Sequence, residues 1–128
     1  MIQDLRYARS VYALKNLQTL KGERIADRLK SAPLEVRRLG LPLAVAGWDR
    51  EGKPELVRLV AGWLYGGWGM LPGKPVPQTA VALLQALEEE ENPGAVRSAA
   101  ELEAEQVLQA AKLLAGAATE GSGGTSAR

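Results

Sequence analysis

Cysteine, histidine and phenylalanine are absent from this chain of 128 residues. Without cysteine there is no disulfide, no thiolate nucleophile, no zinc ribbon and no iron–sulfur cluster. Without histidine the commonest general base and the commonest metal ligand are missing. The two absences together exclude most hydrolase and metalloenzyme mechanisms, and no metal or cofactor site is expected. Aromatic residues make up only 5% of the chain. The core must therefore be built from Leu, Val and Ala, a composition that leans helical. Long apolar runs are missing too. The longest, around Leu39 to Trp48, contains Gly40, Pro42 and Gly47 and is about half the ~20 residues of a membrane-spanning helix. The first residues carry Asp4, Arg6 and Arg9 and do not follow a signal-peptide pattern. One soluble, cytoplasmic domain is expected.

Charge is present in both signs but is unevenly placed. Residues 1–60 hold twelve Lys/Arg against seven Asp/Glu, whereas residues 61–128 hold four against eight. A basic half joined to an acidic half suits a polyanion on one face, or head-to-tail contact between copies. Ordinary surface charge that happens to segregate gives the same count. The cations concentrate at Lys15, Lys21, Arg24, Arg28, Lys30, Arg37 and Arg38. Arg24 and Arg28 are four apart and share a helix face.

Periodicity predicts helices nearly throughout. Residues 2–20 read as a helix with two apolar stripes, Leu5, Ala8 and Tyr12 on one and Tyr7, Val11 and Leu14 on the other. Two stripes imply neighbours on two sides, inside a bundle or from another subunit. Gly22 then breaks the pattern. A short helix is expected over Glu23–Lys30, with a stop at Ser31-Ala32-Pro33 and a restart in which Pro33 fills the first turn. The stretch Leu34–Trp48 is apolar on nearly every side after Arg38, as a buried element is, and Pro42 is expected to kink or interrupt it. After a polar loop, Glu55–Tyr65 is the clearest helix, with Leu56, Leu59, Val60, Trp63 and Leu64 on one face. Residues 66–77 are rich in Gly and Pro and break helix and strand alike. A helix over Gln78–Glu88 carries Val81, Leu84 and Leu87, and Glu88–Glu91 form a solvated joint. The last helix spans about 94–118, with a seam of Val96, Ala100, Ala104, Val107, Ala111 and Leu114. Thr119–Arg128, rich in Gly and Ser, reads as a disordered tail. No segment alternates with period two for long enough to build a sheet. The expected architecture is an all-α, single-domain bundle of five or six helices over residues 1–118.

Catalytic constellations are nearly absent. No glycine-rich loop ends in Lys-Ser/Thr, and Gly66-Gly67-Trp68-Gly69 lacks the strand and helix that a phosphate cradle requires. Ser10, Ser31 and Ser98 have no histidine to activate them. Glu101 and Glu105 share a helix face and read as a solvated stripe. Trp63 falls on the apolar stripe of its helix. Trp48 and Trp68 flank glycine-rich segments, where an indole serves either as core or cap, or as a platform for a base or a partner.

The order of these elements carries a resemblance. A helix with Tyr7-Ala8 is followed by a short basic helix ending near Pro33, then by Gly40-Leu41-Pro42-Leu43-Ala44-Val45-Ala46. A Leu/Trp helix ending Ala61-Gly62-Trp63-Leu64 comes next, and the final helix opens Val96-Arg97-Ser98-Ala99 and runs to Lys112-Leu113-Leu114-Ala115. Over roughly residues 2–118 this resembles the small all-helical subunit, the fifth by name, of the Cmr complex, the type III-B CRISPR RNA-guided effector of antiviral defence. The resemblance implies a non-catalytic protein whose copies stack as a minor filament beside the backbone subunits, with target RNA passing between. Its implied partners are the backbone and large subunits, further copies of itself, and guide or target RNA. On that reading Arg24, Arg28, Lys30, Arg37 and Arg38, supported by Lys21, face RNA or a backbone subunit. A helical protein–protein adaptor or regulator without RNA contact is the alternative.

Overall fold

The computed structural model describes residues 5–16, 23–66 and 75–127, with side chains placed for 6–16, 27–66 and 75–116. These residues form six helices and no strand: α1 (Leu5–Asn16), α2 (Glu23–Leu39), α3 (Leu41–Arg50), α4 (Pro54–Tyr65), α5 (Ala80–Glu88) and α6 (Pro93–Ala127). The all-α bundle expected from composition is therefore the fold. Among the described residues no helix is long and apolar enough to cross a membrane.

α4 is the central element. The stripe read from the sequence is buried, and so are Val57, Ala61 and Tyr65, leaving Arg58 as the helix's exposed position. A helix apolar on almost every side needs neighbours on every side, and α4 packs on all five other helices. α6 does the same along its length. Ala100, Ala104, Val107, Leu108 and Ala111 are buried on it. Their small side chains let the neighbouring helices approach closely, which compensates for the shortage of large aromatics. Trp48 and Trp63 are the largest fully buried side chains. Tyr12 reaches in from α1, stacks obliquely on Trp63 at 5.5 Å between centroids and donates its hydroxyl to the Leu59 carbonyl at 2.6 Å. Gly62 makes that approach possible, because a Cβ there would occupy the space of the Tyr12 hydroxyl. Burial raises the Tyr12 phenol above its ordinary range.

The helix boundaries differ from expectation at several places. α2 does not stop at Ser31-Ala32-Pro33; it runs unbroken from Glu23 to Leu39 with Pro33 inside. An interior proline costs about 3 kcal/mol through the lost N–H bond and the ring clash. Two features offset that. Leu29, Ala32, Pro33 and Val36 are all buried on one side. On the flank, Arg28 Nη1 donates to Glu35 Oε1 at 2.6 Å and to Ser31 Oγ at 3.1 Å, so one guanidinium ties together the two turns astride the proline.

The true break is at Gly40, whose φ of 83° and ψ of 157° belong to a region that only glycine occupies at low cost. Pro42 consequently stands in the first turn of α3, where its missing N–H is harmless, and does not kink a longer helix. The opening amide of α3 is capped from across the bundle, as Leu41 N–H donates to Glu101 Oε2 at 2.6 Å. At the other end of α3, Gly52 (φ 75°) donates to the Asp49 carbonyl and Lys53 to that of Trp48, a left-handed glycine stop that hands directly to Pro54. The burial expected after Arg38 also fails in part: Leu39 and Leu43 are 51% and 63% exposed.

α5 begins at Ala80, two residues late, because Thr79 Oγ1 accepts from Ala82 N–H at 3.1 Å as its cap. Its buried face is Ala80, Leu83 and Leu87, and Val81 is 62% exposed. α6 continues as backbone helix to Ala127 across the expected tail from Thr119. No proline interrupts those residues, and extending an existing helix needs no new nucleus. On α1 the Ala8/Tyr12 stripe enters the core, whereas Tyr7 (71%) and Leu14 (59%) on the second stripe are exposed. The Gly67–Lys74 part of the glycine-rich loop, with Trp68, lies outside the described residues.

Candidate nucleic-acid interface

The six cations expected to share a face fall into different environments. Lys21 lies outside the described residues, as does the side chain of Arg24. Arg28 and Arg37 are nine residues apart, about two and a half turns of helix, and so point to opposite sides of α2.

Arg28 is turned inward. Its Nε and Nη2 donate to Glu51 at the end of α3, at 2.7 and 2.8 Å, and its Nη1 donates to Glu35 and Ser31. The bidentate contact holds the Glu51 carboxyl below its ordinary range and raises the guanidinium. Glu35 also accepts the buried Trp48 indole N–H at 3.3 Å. Arg28 is thus a tie between α2 and α3 and not a member of an outward basic face, which corrects the sequence-based expectation for it. Trp48 is fully buried, so it is core and not a stacking platform.

Lys30, Leu34, Arg37 and Arg38 lie within an arc of about 100° on the outer side of α2, and all four are exposed. Lys30 is 3.5 Å from Asp27 one turn before it, with both side chains more than 70% exposed. Such a pair is screened by water and holds neither partner firmly. Arg37 donates its Nε to Glu105 of α6 at 2.6 Å while remaining 71% exposed. That contact occupies one of the five guanidinium N–H groups. Arg38 has no ion pair among the described residues. Among the described residues the surviving face is a short strip of three cations around one leucine.

Glu101 and Glu105 are not a solvated stripe: one caps α3 and the other orients Arg37. Glu103, one helical step between them, accepts Arg9 Nε and Nη2 at 3.0 and 2.8 Å together with the Trp63 indole at 2.9 Å. Arg9 first, then Trp63, keep this carboxyl below its ordinary range. None of these acceptors was identifiable by spacing, because Arg28 and Glu51 are 23 residues apart and Arg9 and Glu103 are 94. Arg28, Ser31 and Glu35 did carry a local signal, three residues on one flank of one helix.

Beside the strip, Leu39, Pro42 and Leu43 and the first turns of α6, with Arg97, Ser98 and Glu101, line a shallow groove of about 540 Å³. Arg97 is held there by Glu88 at 3.0 Å. Among the described residues no three His, Cys, Asp or Glu side chains stand close enough to hold a metal ion. The chain matches no family model, no curated protein and no solved structure.

Proposed function

We propose that this protein is a non-catalytic structural subunit of an RNA-guided effector ribonucleoprotein of the Cmr kind, in which copies stack beside the guide-bearing backbone and line the target RNA. The observation that carries the RNA contact is the exposed strip of Lys30, Arg37 and Arg38, pre-set on one helix. Guanidinium and ammonium groups on an exposed strip match phosphate oxygens, contacts that position a nucleic acid without reading its sequence. Sequence need not be read here if pairing with a guide does so, the division of labour known for a DNA-targeting effector.

The test is the double charge reversal Lys30→Glu/Arg38→Glu, which leaves every contact between helices in place. Each lost phosphate contact should flatten the log–log salt dependence of single-strand binding by about 0.7, or about 1.4 for the pair. Unchanged target-RNA retention by the assembled complex refutes the assignment. The exposed Leu34 among these cations, with Leu39 and Leu43 also exposed, favours a second reading, a helical adaptor whose contacts are with protein alone. Ultraviolet crosslinks from α2 to RNA support the first reading, and crosslinks to protein only support the second.

A further inference from the structure

Among the described residues Arg9, Arg28 and Arg37 each meet a carboxylate through Nε, and Arg37 differs from the other two in kind. Arg9 and Arg28 give Nε and Nη2 together to one glutamate, and their side chains are largely covered. Arg37 gives Glu105 its Nε alone and stays exposed. The two partners of that contact also differ in freedom. Glu105 lies in the middle of α6, which packs along α2, and its side chain is only 14% exposed. Arg37 stands over it at the surface. A guanidinium carries five N–H groups in one plane. With Nε turned to Glu105, a separate edge of that plane, one N–H from each Nη, meets no acceptor among the described residues. Two parallel donors on one edge match two oxygens of a single phosphate. An exposed arginine with no such hold spreads over many rotamers, and ordering it on binding costs affinity.

We propose that Glu105 is a positioning residue for RNA: it holds Arg37 through Nε so that the Nη edge is set for a phosphate beside Lys30 and Arg38. This role rests on the RNA reading above and adds to that site a residue of the opposite charge. A carboxylate near a phosphate repels it. By charge alone, removing Glu105 would tighten RNA binding. By positioning, removing the acceptor for Nε loosens it. The two effects have opposite signs and can be separated by keeping the acceptor while removing the charge.

The experiment compares Glu105→Gln with Glu105→Ala in the full chain, by anisotropy of a labelled oligouridylate at low salt. Both variants remove the charge, and only glutamine keeps an oxygen to accept from Nε. Glu105→Gln should bind at least as tightly as the wild type. Glu105→Ala should bind about fivefold more weakly than Glu105→Gln, the order of the cost of ordering one long side chain. In an Arg37→Ala background the two should bind alike, which separates coupling through Arg37 from any general loosening of α6. Equal binding of the two Glu105 variants with Arg37 present, or a difference that persists in the Arg37→Ala background, overturns the positioning. The double variant Lys30→Glu/Arg38→Glu tells that failure from a failure of the RNA reading. Oligouridylate binding indifferent to it removes the RNA reading and the positioning together. Binding that is lost in it, yet equal for the two Glu105 variants, leaves the RNA reading standing and removes the positioning alone.

Discussion

Glu103→Ala should be among the most damaging single substitutions in this protein. The wild-type carboxylate accepts three hydrogen bonds, two from Arg9 and one from the indole of Trp63. The Arg9 and Glu103 side chains are only 12% and 17% exposed. Truncation leaves the Trp63 N–H without a partner in the core, which costs about 1–3 kcal/mol. It also strands a guanidinium at the α1–α6 seam, where losing one partner of a fully buried pair costs about 3–5 kcal/mol and this half-wet site costs less. A total near 3 kcal/mol lowers Tm by about 12 °C in a domain of this size. Glu103→Gln keeps the volume and an acceptor for Trp63 but removes the charge, and should cost about half as much. The pH dependence separates the charge from the packing. The folded carboxyl titrates below its unfolded value of about 4.3, so its contribution is complete at neutral pH and is lost as pH falls through the folded value. Urea denaturation from pH 7 to pH 3 should therefore show the gap between wild type and Glu103→Gln closing below about pH 4. A Glu103→Ala protein melting within about 2 °C of wild type, or a gap that persists unchanged at pH 3, would refute the reasoning.

Gly40→Ala should destabilise by about 2–3 kcal/mol, measured by urea denaturation, because φ 83° and ψ 157° are open only to glycine and the new Cβ would stand 3.0 Å from the Glu101 carboxylate that caps α3. Arg28→Ala should cost about 2 kcal/mol through its lost charge-assisted bonds and the loosened turns around Pro33. The same variant should leave the salt slope of RNA binding unchanged, and a flattened slope would return Arg28 to the RNA face.

The fold was legible where a periodic stripe was long and the punctuation unambiguous. α4 showed both, and its burial followed. α2 shows the limit of the method. Pro33 is a strong local stop signal, yet tertiary burial and the Arg28 clamp override it, while Gly40 was hidden in an apolar run where Pro42 drew the attention. Leu39 and Leu43 are exposed although they stand in an apolar run, because a continuous run does not say which side is covered. For the candidate interface, residue type and clustering were readable and direction was not. Whether an arginine faces solvent or a carboxylate depends on acceptors far away in sequence, such as Glu105, 68 residues from Arg37.

Arg9–Glu103–Trp63 and Arg28–Glu35–Trp48 are the same arrangement built twice, and composition explains why. In a chain without phenylalanine the largest core side chains are indoles, one on α4 and one on α3. An indole differs from a phenyl ring in carrying an N–H that must find an acceptor when buried. The acceptor in both places is a side chain, and with no histidine available a glutamate supplies it. A glutamate drawn toward the core needs a cation, and a permanently charged arginine supplies it, with two N–H groups from Arg9 to Glu103 and one from Arg28 to Glu35. Two arginines of the basic half are thereby withdrawn from the surface to serve the two tryptophans. The outward charge of α2 is smaller than the sequence count, and among the described residues its outward cations are Lys30, Arg37 and Arg38.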